Sequence, residues 1–394
     1  MSHREIVLCA PVRTAIGTFN GSLKGTSAVE LGATALRATV ERSGIDPQHV
    51  DAVLMGNVVQ AGNGMNPARQ AAIHAGLPVE VPAMTLNRVC GSGAQAIASA
   101  AFEILAGAAS VVLAGGMENM DQAPYLLPEG RWGMRMGHAR ILDSLLRDGL
   151  VDAFSSEHSG WHTEDLVRDC DISRDAQDRW AALSQQRFSA AQAAGAFGDE
   201  IAAVTLKGKA GTRLFVADES NRPDTTVESL AKLRPAFRPD GTITAGNAPG
   251  LNSGAAAVLV AERRAADALG LQPLARLVAT GVAGVAPGQF GLGPVPAVHR
   301  ALERAGWTLS DVDRYEINEA FAAVPLAVAR RLSLPADVIN VEGGAVAHGH
   351  PIGATGAILI VRLLHAMRRG LAQRGIVTLC IGGGQGIALA IEKI

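Results

Sequence analysis

The sequence predicts an α/β protein made by duplication, with a long insertion covering one end. Three observations carry this. Residues 35 to 51 (ALRATVERSGIDPQHVD) and 297 to 313 (AVHRALERAGWTLSDVD) align without a gap at an offset of 262, with Ala, Glu, Arg, Gly, Val and Asp recurring in place. Residues 91 to 116 and 353 to 383 both run from a glycine turn through an alanine- or leucine-rich helix into an apolar strand, VVLAGG or IVTLCIGG. Between the copies, residues 121 to 248 match neither and hold most of the charged runs, as a covering insertion would.

The elements follow in chain order. In each copy of the first echo a helix ends at a glycine, Gly44 or Gly306, and passes through a turn into a strand, 52 to 55 or 315 to 317. The apolar run 94 to 106 reads as a helix feeding strand 111 to 116. The insertion contains a helix-like stretch at 174 to 194 and a Met/Gly/Arg cluster at 130 to 137, and the second copy closes on strand 376 to 379. Two such halves imply buried, mostly parallel sheets. The competing explanation of the echo is that βα units look alike by composition.

Composition narrows the function. At 394 residues the chain is long enough for two or three structural units of about 150 residues. Lys and Arg number 35 against 37 Asp and Glu, with no long basic run, which argues against a nucleic-acid footprint. The start, MSHREIVLCAPVRTA, has no basic stretch followed by a long apolar one, and no segment reaches about 18 uncharged apolar residues, so neither a signal peptide nor a membrane span is expected. Four cysteines, at 9, 90, 170 and 380, are too few and scattered for a disulfide framework, and a reducing cytoplasm fits best. Only 18% of residues are charged, below the usual ~25%, as expected if surface is hidden in an oligomer.

Four glycine-rich or strand-end segments hold the candidate chemistry. Cys90 sits where a glycine turn enters the helix at 94 to 106; the helix N-terminus would stabilise its thiolate and make it a nucleophile, the alternative being a structural buried cysteine. In GGAVAHGHPIGATG, His348 and His350 lie among five glycines, where an imidazole can act as base or oxyanion donor. A metal at this H-x-H, or at His158 and His162 with Glu157 or Glu164, is the rival use, disfavoured because the glycine loop carries no acidic residue beside the histidines. Cys380 ends an apolar strand before GGGQG, where the glycines would expose its thiol and backbone N–H groups. Asn318 opens NEAF at another strand end, as a site residue or a helix N-cap. No G-x-S-x-G elbow or phosphate-binding G-x-x-x-x-G-K-[ST] loop is present.

Cys90 in NRVCGSGAQA, Asn318 in NEAF, His350 in GHPIGATG and Cys380 in CIGGGQG, in that order, closely resemble the four active-site motifs of the thiolases. GGMENM at 115 to 120, KLRPAF at 232 to 237 and TAGNAPGLNSGAAA at 244 to 257 extend the resemblance along the chain. It implies the thiolase fold, with duplicated βαβαβαββ halves of five-stranded sheet in a layered α-β-α-β-α core. On that pattern residues 1–120 with 249–272 form the half carrying Cys90, and 273–394 the half carrying Asn318, His350 and Cys380. Residues 121–248 form a covering loop domain for coenzyme A binding and oligomerisation.

The resemblance also implies the chemistry. Cys90 attacks an acyl-CoA while His350 accepts its proton, and Cys380 is the acid/base that generates a carbanion from a second acetyl-CoA. One oxyanion hole is implied from His350 and a water held by Asn318, the other from the backbone N–H groups of Cys90 and Gly382. His158, Arg222 and Ser229 match positions near the pantetheine and nucleotide of coenzyme A, with Phe237, Leu251 and Phe321 as apolar wall. Expected substrates are acetyl-CoA, 3-ketoacyl-CoA and CoA, with no permanently bound cofactor, no metal and a dimeric or tetrameric assembly. The sequence departs from the family pattern at Pro249, where a serine hydroxyl is common, at Ser159 and Phe290, where biosynthetic relatives often carry methionine, and at His348, often aliphatic. Ser159 and Phe290 suggest a pocket altered toward acyl chains other than acetyl. The alternatives are a ketoacyl synthase-like condensing enzyme, which has no use for the Cys380 thiol, and a non-catalytic CoA- or acyl-binding protein on the same fold.

Overall fold

A computed structural model describes residues 4–208 and 211–394. The first half contains β1 (Ile6–Thr14), α1 (Ala28–Ser43), β2 (Ala52–Gly56), α2 (Pro67–His74), β3 (Ala83–Leu86), α3 (Ser92–Ala106) and β4 (Val111–Asn119). Within the following stretch lie α4 (Ser159–Asp169) and α5 (Arg174–Ala193), after which β5 (Asn252–Glu262) returns to the first half. The second half contains β6 (Pro273–Gly284), α6 (Pro294–Ala305), β7 (Arg314–Ile317), α7 (Ala323–Leu332), α8 (Thr355–Arg368), β8 (Arg374–Ile381) and β9 (Gln385–Lys393).

The duplication is explicit in the topology. The first half pairs its strands in the order β3-β2-β4-β5-β1 and the second in the order β7-β8-β9-β6. In place of a fifth strand the second half has only a single bridge, between Tyr315 and Ile339, outside β7. Antiparallel pairing of Val7 with Arg276 and Leu8 with Ala275 joins both halves into one continuous sheet. Helices α1 and α6, from the first echo, both stop at a left-handed glycine, Gly44 (φ 70°) and Gly306 (φ 67°), where a side chain would be strained.

The expectation of mostly parallel sheets is corrected. Among the nine strands named above β2–β3, β2–β4 and β7–β8 are parallel, whereas β4–β5, β5–β1, β1–β6, β6–β9 and β9–β8 are antiparallel; the short strand Ile201–Ala202 also runs parallel to the end of β1. Residues 382 to 384 are too few for a crossover, so β8 must fold straight back into β9. The apolar runs that suggested parallel strands are continuous because both faces are covered. Along β4, Val112 and Ala114 face the central helices while Val111 and Leu113 face α1 and α2. Along β8, Val377 and Leu379 face the centre while Ile376 and Cys380 face the layer of α6 and α7. The result is five layers, with α3 and α8 between the two arms of the sheet. The stretch Val89–Ala106, long and apolar enough to cross a membrane by length and composition, thus contains a helix of the protein core.

The two central helices cross through glycine. A Cβ on Gly93 would lie 2.7 Å from Ala357 N, and one on Gly356 would lie 2.4 Å from Ala94 N. Both obstacles are backbone and cannot swing aside. Substituting Gly356→Ala adds at most about 1 kcal/mol of helix propensity against an overpacking cost of about 1–3 kcal/mol. The variant should therefore unfold at lower urea concentration and lose activity; an unchanged midpoint would show that the crossing does not need its glycine.

Candidate active site

Loops leaving the carboxyl ends of β3, β7 and β8 converge at the N-termini of α3 and α8. The turn before α3 is strained, since Val89 adopts φ 45°, a left-handed conformation unfavourable for a β-branched residue. Three hydrogen bonds hold it: Val89 N–H to Asn87 Oδ1 (2.7 Å), Arg88 N–H to Ser92 Oγ (2.8 Å) and Ser92 Oγ–H to the Val89 carbonyl (2.7 Å). Half-buried Cys90 follows and lines a cavity of about 380 Å³ shared with His350 and Gly382.

His350 is fixed at three points. Its backbone N–H donates to Asn252 Oδ1 (2.8 Å), Nδ1 lies 2.7 Å from Thr355 Oγ1, and Nε2 lies 3.3 Å from Asn318 Nδ2. Thr355 has one hydroxyl proton and donates it to the Pro351 carbonyl (2.9 Å), so Nδ1 must be the imidazole donor. That leaves a lone pair on Nε2, facing the Asn318 amide N–H. Burial holds the His350 pKa down at about 4, so the ring is neutral and Nε2 is ready to accept a proton. Asn318 Oδ1 is buried and bonds to nothing among the described residues, as suits an ordered water.

Both thiols differ from their sequence-based expectations. Burial pushes the Cys90 thiol up to about 11, outweighing the N–H donors of Gly382 and of Cys90 itself, so the expected resting thiolate at a helix N-terminus is corrected to a thiol. Cys380 is not exposed by its glycines: it is the penultimate residue of β8, fully buried, and absent from the cavity wall. Burial raises its pKa well above the ordinary range, and the neighbouring Cys90 sulfur raises it further. The two thiols are thus close enough to repel as anions.

The remaining predicted residues divide clearly. Phe237, Leu251, Phe290 and Phe321 line the cavity, as do His158, Ser159 and Pro249. His158 caps α4, its Nδ1 accepting from Gly160 N–H (2.9 Å), and stacks on Phe237 at 4.7 Å; burial lowers its pKa. Arg222 lines an adjoining pocket that shares Ala248, Gly250 and Leu251 with the first. Ser229 lines neither pocket, and its hydroxyl closes a capping box with Thr226. His348 is buried away from the cavity, with neither ring nitrogen partnered among the described residues, and nothing in the structure explains its polarity. No three His, Cys, Asp or Glu side chains among the described residues converge to hold a metal ion.

Sequence reasoning missed the residues that hold the loops. Glu319 of NEAF accepts from Trp180 Nε1 (3.0 Å), Ser184 Oγ (2.8 Å), Asn340 Nδ2 (2.8 Å) and Val346 N–H (3.0 Å), tying α5 to the loops of Asn318 and His350. Glu118 of GGMENM accepts from Asn57 Nδ2 (2.8 Å) and from the N–H groups of Val58, Val59 and Gly353. Buried carboxylates survive when so surrounded by donors. Thr355 and Asn252 offered only their positions inside quoted motifs as a signal.

Comparison with known proteins identifies the family. Residues 6–264 match the family model "Thiolase, N-terminal domain" and residues 271–393 match "Thiolase, C-terminal domain". The chain belongs to the thiolase family. It is 53% identical to an acetyl-CoA acetyltransferase of Pseudomonas aeruginosa over 99% of this chain and 100% of that one. It is 51% identical to a probable acetyl-CoA acyltransferase of Staphylococcus epidermidis, over 99% of both chains. The crystal structure of the Bacillus anthracis acetyl-CoA acetyltransferase superposes with a TM-score of 0.97, at 44% identity and 99% coverage of both chains.

A neutral thiol beside a neutral imidazole has a clear signature. Inactivation of the enzyme by iodoacetamide at Cys90 should accelerate steadily through pH 9, toward a midpoint near 11. A rate already level from about pH 7 upward would indicate a resting thiolate–imidazolium pair instead.

Proposed function

We propose that this chain is an acetyl-CoA C-acyltransferase, a β-ketothiolase working by ping-pong Claisen condensation and its thiolytic reverse. The observation that carries this is the pairing of two interacting thiols, Cys90 and Cys380, with a neutral His350 that lines the cavity beside Cys90 and whose Nε2, next to the Asn318 amide, keeps a lone pair. A ketoacyl synthase-like enzyme would have no role for the second thiol.

Acylation begins as Cys90 Sγ bonds to the thioester carbonyl carbon and its proton passes to His350 Nε2. The C–S bond to coenzyme A then breaks as the departing thiolate takes the proton of Cys380, leaving an acyl-enzyme, a Cys380 thiolate and a protonated His350. Negative charge on the thioester oxygen falls within reach of N–H donors at Cys90 and Gly382 in one step, and of His350 with an Asn318-bound water in the other. Condensation requires a proton from the methyl of a second acetyl-CoA. Cys380 is suited to that: burial makes its thiolate an unusually strong base, and its resting thiol an available acid. In thiolysis the C2–C3 bond of a 3-ketoacyl-CoA breaks, and Cys380 protonates the acetyl-CoA carbanion.

The exposed side chains of Tyr125 (70%), Trp132 (84%) and Met136 (96%) support assembly with further copies of the chain, a homo-oligomer whose state sedimentation equilibrium would read.

Radiolabelled acetyl-CoA separates the two thiol roles. Cys90→Ala should take up no label, whereas Cys380→Ala should be acylated yet fail to make acetoacetyl-CoA. Label on the first variant, or normal condensation by the second, would sink the scheme. Asn318→Ala should lower kcat by about 100- to 1,000-fold, the usual loss for one oxyanion donor, with correct folding checked by circular dichroism.

A further inference from the structure

One wall of the cavity carries polar groups that the proposed chemistry does not use. Ser159 and His162 stand three residues apart on α4, hence on one face of that helix, and both line the cavity. His162 Nε2 lies 2.7 Å from Ser155 Oγ, and Ser155 Oγ lies 3.2 Å from Asp152 Oδ1. Asp152 Oδ1 also accepts the N–H groups of Phe154 (2.8 Å) and Ser155 (2.9 Å), which fixes the loop. A carboxylate is the strongest acceptor present, so the Ser155 proton goes to Asp152 and the His162 Nε2–H donates to Ser155. His162 Nδ1 is thereby left as an acceptor, and it bonds to nothing among the described residues. Gly288 leaves it uncovered, since a Cβ there would sit 3.2 Å from Nδ1. Ser159 uses its carbonyl, which accepts from Thr163 Oγ1, but its hydroxyl has no partner among the described residues.

The position of this pair is at the reacting end of the cavity. Gly288 follows Pro287, whose Cα would lie 2.8 Å from a Cβ on Gly384, and a Cβ on Gly383 would lie 4.0 Å from the Phe154 ring. Gly382, next in that loop, lines the same cavity as Cys90. Phe290, Pro287 and Phe154 supply an otherwise apolar wall around the two polar groups.

We propose that His162 and Ser159 select acyl chains bearing a hydroxyl group, which donates to His162 Nδ1 and accepts from Ser159 Oγ. This rests on the thiolase reading and names the substrate class for it. A chain with a methyl in place of the hydroxyl leaves both protein groups unpartnered, and sites built for a hydrogen bond discriminate against such analogues.

The test is thiolysis of matched 3-ketoacyl-CoA esters carrying either a hydroxyl or a methyl one, two or three carbons beyond the ketone. At one of these positions wild-type kcat/KM should favour the hydroxyl ester by at least tenfold, and His162→Leu and Ser159→Ala should each collapse that preference. His162→Gln, which keeps a polar group able to accept, should retain part of it and guards against loss through misfolding. Equal turnover of the paired esters by wild type would overturn the proposal while leaving the thiolase reading intact. So would variants that raise KM for coenzyme A without changing the preference, because the pair would then serve the pantetheine. No thiolysis of any ester, acetoacetyl-CoA included, would refute both readings.

Discussion

The close crossing of α3 and α8 is the constraint on which the site depends. Each helix begins at a loop of the candidate site, one with Cys90 just before it and the other with His350 and its anchor Thr355, and each contributes a glycine to the contact. Residues 260 positions apart in sequence are therefore set side by side by backbone against backbone. No side-chain rotamer enters that distance. The continuous sheet, joined through β1 and β6, wraps the pair and removes any hinge between halves.

Burial then decides the electrostatics. Desolvation keeps both thiols and the imidazole of His350 uncharged at rest, so the site stores no ion pair for an incoming thioester to break. The carboxyl groups that border this region, Glu118 and Glu319, are themselves pushed up by burial, Glu118 to about 8, and are consumed by hydrogen bonds to loops that shape the site from behind. In the proposed mechanism charge appears only as the reaction proceeds, within reach of the backbone N–H groups of Cys90 and Gly382.

Much of this was legible in the sequence because duplication and glycine both leave marks in it. The 262-residue offset located paired helices and strands, and the glycine clusters located the loops that approach the cavity. Strand direction was not legible: β5 and β9 read as buried apolar runs whichever way they point, since both faces are covered. Nor were the thiol acidities, because a helix N-terminus is visible in sequence while the depth of Cys380 beneath its loop is not. Ser229 could be placed in a motif by position, yet its hydroxyl is turned to a neighbouring cap. The roles of Thr355 and Asn252 arise only when distant segments meet at His350.

The late return of β5 bears on how the chain emerges from the ribosome. Strands β1 and β4 are both complete by residue 119, but the strand that lies between them spans Asn252–Glu262. While the intervening 132 residues are being made, at about 5–20 residues per second, the nascent first half holds two unpaired apolar edges for several seconds or longer. The inserted segment that later roofs the cavity is thus also a delay in closing the sheet, and a nascent chain of this design has reason to be held by a chaperone until its middle strand arrives.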